Sequence, residues 1–472
     1  MSVAGRVLRN VLVVFSSKAV NKLLNFIVLI YLARYLGTEG FGKYSFVIAY
    51  LFFFNVLAFL GINKIVVREI SKDRAEEERI IGNALGIRLL LSVISIILSI
   101  LIINLLGYPS DTKILVYIIS LTLLFSAIRA TYASIFEARL RMEYSELGNF
   151  LEVVISATLI LSIIFLGGNL VHVMIVLVFA SLCNLLVVFY FSKKLVKPKL
   201  ELNFSYVKRI LVPSIPTGLA IIFRTIYYRI DVLMLSLMKT NVAIGYYSAA
   251  YTLISALEII PRAIMMSVFP LMSRFSKSSK DSLEMSYEKS FRIMLMISLP
   301  IAVMVSVFSK EIILLLYKDE FLPSTLALST LIWSAVFLFL NILFANLVIS
   351  VGKEWVTVQI SLIMALVNII LNYLLIPDYS YIGASIATVL TEALCAVIFF
   401  SYIYINLIRR FFAITILKLV LLNTLLYFIL KIFNFLPTPI LIVLSFLLYI
   451  HILLKTNCIT KEELLYLKSF IS

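Results

Sequence analysis

Lys18, Asn21, Lys22 and Asn25 recur at i, i+3, i+4 and i+7, the spacing that places all four on one stripe of a helix whose other faces are apolar. Two ammonium groups one turn apart repel, so a shared counter-anion is their natural partner. A second apolar segment carries Ser214, Thr217, Arg224, Tyr228 and Asp231 on one broad face, with Arg229 turned away from Arg224. Pro213 and Pro216, near one end of it, remove backbone donors and invite a bend. A third pairs Glu258 with Arg262 at i, i+4 across Pro261, the spacing of an intrahelical ion pair at a kink. Arg129 lies about two turns inside its apolar run, too deep to reach the interface easily.

An ionisable side chain in a bilayer needs a cavity, a partner or a route to the interface. Within the apolar runs about nine residues are basic against about five acidic, Glu137, Glu152, Asp231, Glu258 and Glu392. The excess favours an anionic ligand such as a phosphate or pyrophosphate, with Lys18, Lys22, Asn25, Arg129, Arg224 and Arg229 as candidate binding residues. Asp231, Glu258 and Arg262 are candidates for coupling or gating, because a buried carboxylate can titrate near neutrality. The alternative is a structural lock in which Asp231 pairs with Lys22 or Arg224 and never meets substrate, and Glu258 with Arg262 is a structural pair. Asn341, Asn346, Asn368 and Asn372 suit a second polar cavity or interhelical hydrogen bonds. Tyr227, Tyr228 and Tyr251 suit sugar contacts. The separated Cys183, Cys395 and Cys458 and the isolated His172 and His451 give neither a disulfide framework nor a metal site.

The elements that position these residues follow from composition. A chain of 472 residues, 62% hydrophobic, 14% charged and of mean hydropathy +1.08, cannot cover a soluble surface. At roughly 34 residues per span and connection it holds about fourteen transmembrane helices. No gap is long enough for a nucleotide-binding or sugar-transferring domain. The net charge of +16 reflects where the basic residues sit: about 26 fall in one set of connections, about 6 in the other and about 9 in spans, which makes the N-terminus cytoplasmic. Clusters such as Lys193, Lys194, Lys197 and Lys199 read as topology determinants and anionic-lipid contacts, with no nucleic acid implied. Residues 1–33 resemble a signal peptide but are read as a retained first span.

A basic linker, 193–209, divides two six-helix lobes, 1–192 and 210–405. Two further helices occupy 406–454 and a cytoplasmic tail 455–472. An even number of helices per lobe makes the lobes parallel repeats. Residues 37–50 align with 240–253, matching Gly42 with Gly245, Tyr44 with Tyr247 and Ser45 with Ser248. The expected fold is all-α and integral to the membrane, with a central cleft.

The segment ARYLGTEGFGKYSF at 33–46, followed by Arg68 and Glu69, resembles the Wzx-type polysaccharide flippases of the multidrug/oligosaccharidyl-lipid/polysaccharide (MOP) exporter superfamily. So do Asn368, Asn372 and LLIPDYSYIGASIATVLTE at 374–392, LLYKDEF at 315–321 and TKEELLYLK at 460–468. One departure is Tyr379–Ser380, where the family pattern has Tyr-Gly. The resemblance implies alternating access and a cargo of polyprenyl-linked oligosaccharide moved from the cytoplasmic to the outer leaflet of the cell membrane. It implies a transporter and not an enzyme, with no cofactor, coupling to a proton or sodium gradient left open, and lipid-linked oligosaccharide, membrane lipids and glycan-assembly enzymes as partners. A MATE-like cation or drug antiporter and a membrane-embedded polysaccharide polymerase are the rival readings.

Overall fold

The computed structural model describes residues 3–410 and 412–433, with Leu441 and Tyr449 beyond them. The described residues form helices joined by short turns, and ten helical runs are long and apolar enough to cross a membrane. The protein is an all-α integral membrane protein. Side chains such as Leu105, Phe165 and Leu166, which are 75%, 91% and 81% exposed, suit an acyl-chain environment and not water. The expected last helix, 437–454, and the tail lie outside the described residues, apart from Leu441 and Tyr449.

The chain packs as two compact units, Met1–Ala249 with Ser361–Tyr381, and Ala250–Ile360 with Ile382–Ser472. The first contains α1 (Val3–Phe59), α2 (Ile62–Lys72), α3 (Glu77–Leu105), α4 (Ser110–Ala138), α5 (Glu143–Phe165), α6 (Leu170–Ser192) and α7 (Phe204–Met238). It also takes the start of α8 (Asn241–Leu257) and the middle of α13 (Glu354–Asn406). In it α6 packs on α4 and α5, α3 on α4, and α1 on α3, α5 and α7. The second unit contains α9 (Ile259–Ser278), α10 (Lys280–Val307), α11 (Ser309–Tyr317), α12 (Ser324–Ser350) and α14 (Ala413–Ile432). There α10 packs against α9, α12 and α14.

Two helices are long enough to cross twice. The 57 residues of α1 would span about 85 Å unbroken, against a hydrocarbon core of about 30 Å. The helix breaks at Gly37 (φ 68°, ψ −176°), a backbone only glycine adopts without strain. The two crossings are therefore joined by a one-residue break. In α13 the corresponding break is Ser380 (φ 52°, ψ −132°), within the segment read as the connection between the eleventh and twelfth spans. The polar stretch 271–292 is helical except at Ser279, so α9 and α10 continue past their apolar spans.

Gly42 and Gly245, matched by the repeat alignment, meet at one crossing in the first unit. A Cβ on Gly42 would fall 1.8 Å from the Asn241 carbonyl oxygen, and one on Gly245 would fall 2.1 Å from that of Thr38. Backbones this close leave room for hydrogen alone.

Candidate functional site

The polar stripe lies on an unbroken stretch of α1. Lys18 and Asn25 are exposed, and Asn21 and Lys22 are half-buried. Asn21 donates to the Ser17 hydroxyl at 3.4 Å, a local bond that fixes its amide on the stripe. Lys18 and Lys64 both lie within electrostatic reach of Glu137 at the far end of α4. On α7, Arg224 is exposed and Arg229 is half-buried. The Arg229 guanidinium sits 5.5 Å from the Phe52 ring centroid, a cation-π contact that holds a charge without neutralising it. Tyr227 and Tyr228 meet edge to face at 4.8 Å.

Asp231 is 2% exposed. One carboxylate oxygen accepts from the Tyr247 hydroxyl at 2.7 Å and the other from the Asn372 amide at 2.6 Å. Asn372 also donates to Asn368 Oδ1 at 2.9 Å. Three helices, α7, α8 and α13, therefore converge on one buried carboxylate, and these hydroxyl and amide donors stabilise its charge. Of the four amides expected to line a second polar cavity or to make interhelical hydrogen bonds, Asn372 makes such a bond here with Asn368 beside it, both in the first unit, while Asn341 donates to Glu392 Oε2 at 2.6 Å.

Arg129, half-buried on α4, donates to Asn149 Oδ1 at 3.2 Å. Asn184, fully buried on α6, donates to the same oxygen at 3.3 Å and to Glu152 Oε2 at 2.6 Å. Gly148 makes this possible, since a Cβ there would lie 2.3 Å from Asn184 Oδ1. Glu152 lines a cavity of about 250 Å³ with Phe52, Asn55, Thr122, Ser126 and Ser181, closed by Ile48, Leu51, Ile119 and Leu177. Arg88 is the residue that sequence reasoning missed most clearly. It is fully buried, donates to the Ala127 carbonyl at 3.3 Å and to Asn63, and stacks 5.4 Å from the Phe59 ring centroid. Arg129 acts on the charge of Arg88, and Glu152 and Glu146 act on that of Arg129. The available signal was a charge about two turns inside an apolar run.

Lys18, Arg129, Arg224 and Arg229 form no ion pair among the described residues. The two remaining candidates lie in the second unit. Arg262 pairs with Glu258 at 2.9 Å, as the i, i+4 spacing requires, and Glu258 is itself the break between α8 and α9. No three His, Cys, Asp or Glu side chains converge as a metal site among the described residues.

A family model described as "Polysaccharide biosynthesis protein" matches residues 7–276, which contain every cation named above. The chain belongs to the polysaccharide biosynthesis protein family. This places it in the MOP exporter superfamily that its loop segments resemble. A second model, MatE, matches residues 216–374. Capsular polysaccharide biosynthesis protein CapF of Staphylococcus aureus is 25% identical over 399 residues, 83% of this family member and 97% of CapF. An uncharacterized membrane protein of Methanocaldococcus jannaschii is 31% identical over 150 residues, 32% of this chain and 30% of its own length. Among solved structures, lipid II flippase MurJ in an inward closed conformation superposes with a TM-score of 0.79 at 18% identity, covering 93% of this chain and 97% of MurJ. That likeness establishes a shared fold for this member of the family.

Proposed function

We propose that the protein is a flippase that carries a polyprenyl-(pyro)phosphate-linked oligosaccharide from the cytoplasmic to the outer leaflet by alternating access. One observation carries the reading: Lys18, Arg129, Arg224 and Arg229 sit in apolar helices of one unit and form no direct ion pair among the described residues, Glu137 lying within electrostatic reach of Lys18 and Glu146 and Glu152 within reach of Arg129. An anionic linker would supply the missing charge through charge-assisted hydrogen bonds. Hydroxyls and amides around the inner cavity suit sugars, and exposed apolar helix faces suit a lipid tail. CapF is named for capsular polysaccharide biosynthesis and MurJ as a lipid II flippase, and both names support the reading. The termini are then cytoplasmic, the membrane is the cell membrane, and the protein transports without acting as an enzyme. Asp231, buried where α7, α8 and α13 meet, is the candidate coupling group for a proton or sodium gradient.

The test reconstitutes the protein in liposomes and follows leaflet transfer of a fluorescent polyprenyl-phosphate oligosaccharide, with organic-cation efflux measured in parallel. Lys22→Ala and Arg224→Ala are expected to reduce transfer at least tenfold, as the loss of one charge-assisted contact of about 1.5–3 kcal/mol requires, while membrane insertion stays intact. Full transfer in both variants would remove the cationic site. The MatE match over 216–374 gives a second reading, cation antiport, and efflux without lipid transfer would select it.

A further inference from the structure

The linker between α6 and α7 is pinned to the bundle by its backbone while its side chains are left outside. At Gly82 and Gly86 of α3 a Cβ would lie 2.0 Å from the Lys199 carbonyl oxygen and 2.7 Å from that of Glu201. The Asn203 amide donates to Asn83 Oδ1 at 2.7 Å, Val196 is buried, and the Leu195 carbonyl accepts from Arg139 at 3.4 Å. Outside this seam Leu200, Leu202 and Phe204 are 61%, 59% and 81% exposed. Lys193, Lys194, Lys197 and Lys199 are also exposed, and Lys194 caps the Tyr190 ring at 4.7 Å.

We infer that this strip is a docking site for anionic phospholipid headgroups of the cytoplasmic leaflet. Its position fixes the environment, since α6 ends at Ser192 and α7 begins at Phe204, both membrane-crossing helices. Lysines interleaved with apolar side chains at that depth are the pattern of a segment lying in the interface, stems and rings among acyl chains and ammonium groups at headgroup level. Charge complementarity selects the headgroup. The acids facing the linker from its neighbours are committed, Glu77 to Arg139 and Glu69 and Glu76 to Arg209, and the strip's own acid, Glu201, is exposed and offsets one of its charges. The four lysines form no ion pair among the described residues. Two glycines and a buried asparagine amide hold the backbone in place, so the lysines are presented as a fixed set and not as a loose basic tail.

The full chain is placed in nanodiscs of phosphatidylcholine with a minority of phosphatidylglycerol, and the lipids retained after brief detergent exchange are quantified by mass spectrometry. Replacing Lys193, Lys194, Lys197 and Lys199 with Gln is expected to lower the retained phosphatidylglycerol-to-phosphatidylcholine ratio about tenfold, given the strength of lysine attraction to an anionic leaflet. Replacing the same four with Arg is expected to preserve it, which also shows that substitution there leaves the fold intact. The control removes equal charge from α9 and α10, Arg274, Lys277, Lys280 and Lys289, all exposed, and is expected to change the ratio less than twofold. An unchanged ratio in the linker Gln variant, or an equal fall in both Gln variants, would overturn the assignment, the latter by showing diffuse attraction to a basic face.

Discussion

Glu76 sits in the short connection between α2 and α3 and ties it to α7: one oxygen accepts from the Tyr206 hydroxyl at 2.8 Å and the other from Arg209 at 2.7 Å. The Tyr206 bond and then the arginine hold its carboxyl below the ordinary value of 4.5. A carboxyl with a lowered folded value favours the fold above its unfolded pKa and loses that contribution as pH falls through the folded one. Glu76→Gln is therefore expected to shrink the drop in thermal midpoint between pH 5 and strongly acid conditions, read by intrinsic fluorescence in detergent. Identical acid limbs in the two proteins would show that the tie is idle. Legibility at this scale was uneven. Lys18, Lys22, Arg129, Arg224 and Asp231 stood out because a charge in an apolar run must be explained. Their partners did not: Asn372 reaches Asp231 across 141 positions, and Asn184 reads as an ordinary polar residue until Gly148 and Glu152 lie beside it. Sequence spacing reports neighbours on one helix and is silent about neighbours on another.

Among the elements, the turn within α13 departs from its family's pattern and from backbone preference at the same residue. Ser380 occupies φ 52°, ψ −132°, where a side chain is crowded by the adjoining peptide and glycine is at ease. The absence of the usual glycine was visible in the sequence, but whether the backbone would keep the glycine conformation was not. It does, and strain of this kind costs of order 1–3 kcal/mol. Ser380→Gly is expected to raise thermal stability by about 1 kcal/mol after the extra freedom of unfolded glycine is set against the relief, with Ser380→Val moving the midpoint the other way. A lower midpoint for Ser380→Gly would mean that the serine hydroxyl, not the backbone, decides this position. Other element boundaries were misplaced for a simpler reason: hydropathy marks where a helix leaves the membrane, not where it ends. In the polar stretch 271–292, Leu283, Tyr287 and Phe291 are buried at i, i+4 and i+8, a helical period that continues where hydropathy falls.

Across the whole molecule, hydropathy and charge placement decided the fold class, because a chain this apolar can satisfy its backbone in lipid only as helices or a closed barrel. Orientation is a separate question, and counting crossings makes it testable. Between Glu39 and Asp73 the chain crosses once, in the second half of α1 with α2; between Asp73 and Lys197 it crosses four times, in α3 to α6; between Lys197 and Asp319 it crosses three times, in α7, in α8 with α9, and in α10. The 9 residues of α11 reach only about 14 Å and do not cross. Parity therefore puts Glu39 and Asp319 on one face and Asp73 and Lys197 on the other, whichever way the protein is inserted. By the positive-inside rule the excess of Lys and Arg on the second face leads to the expectation that this face is cytoplasmic. All four residues are exposed, so single cysteines placed there, in a chain with Cys183, Cys395 and Cys458 replaced, would report to a membrane-impermeant maleimide. Labelling of intact cells is expected at positions 39 and 319, and at 73 and 197 only after permeabilisation. The reverse pattern would invert the orientation and with it the direction of transport. A split between 73 and 197 would instead contradict the number of crossings in the first unit, and so the helices that carry the candidate cations.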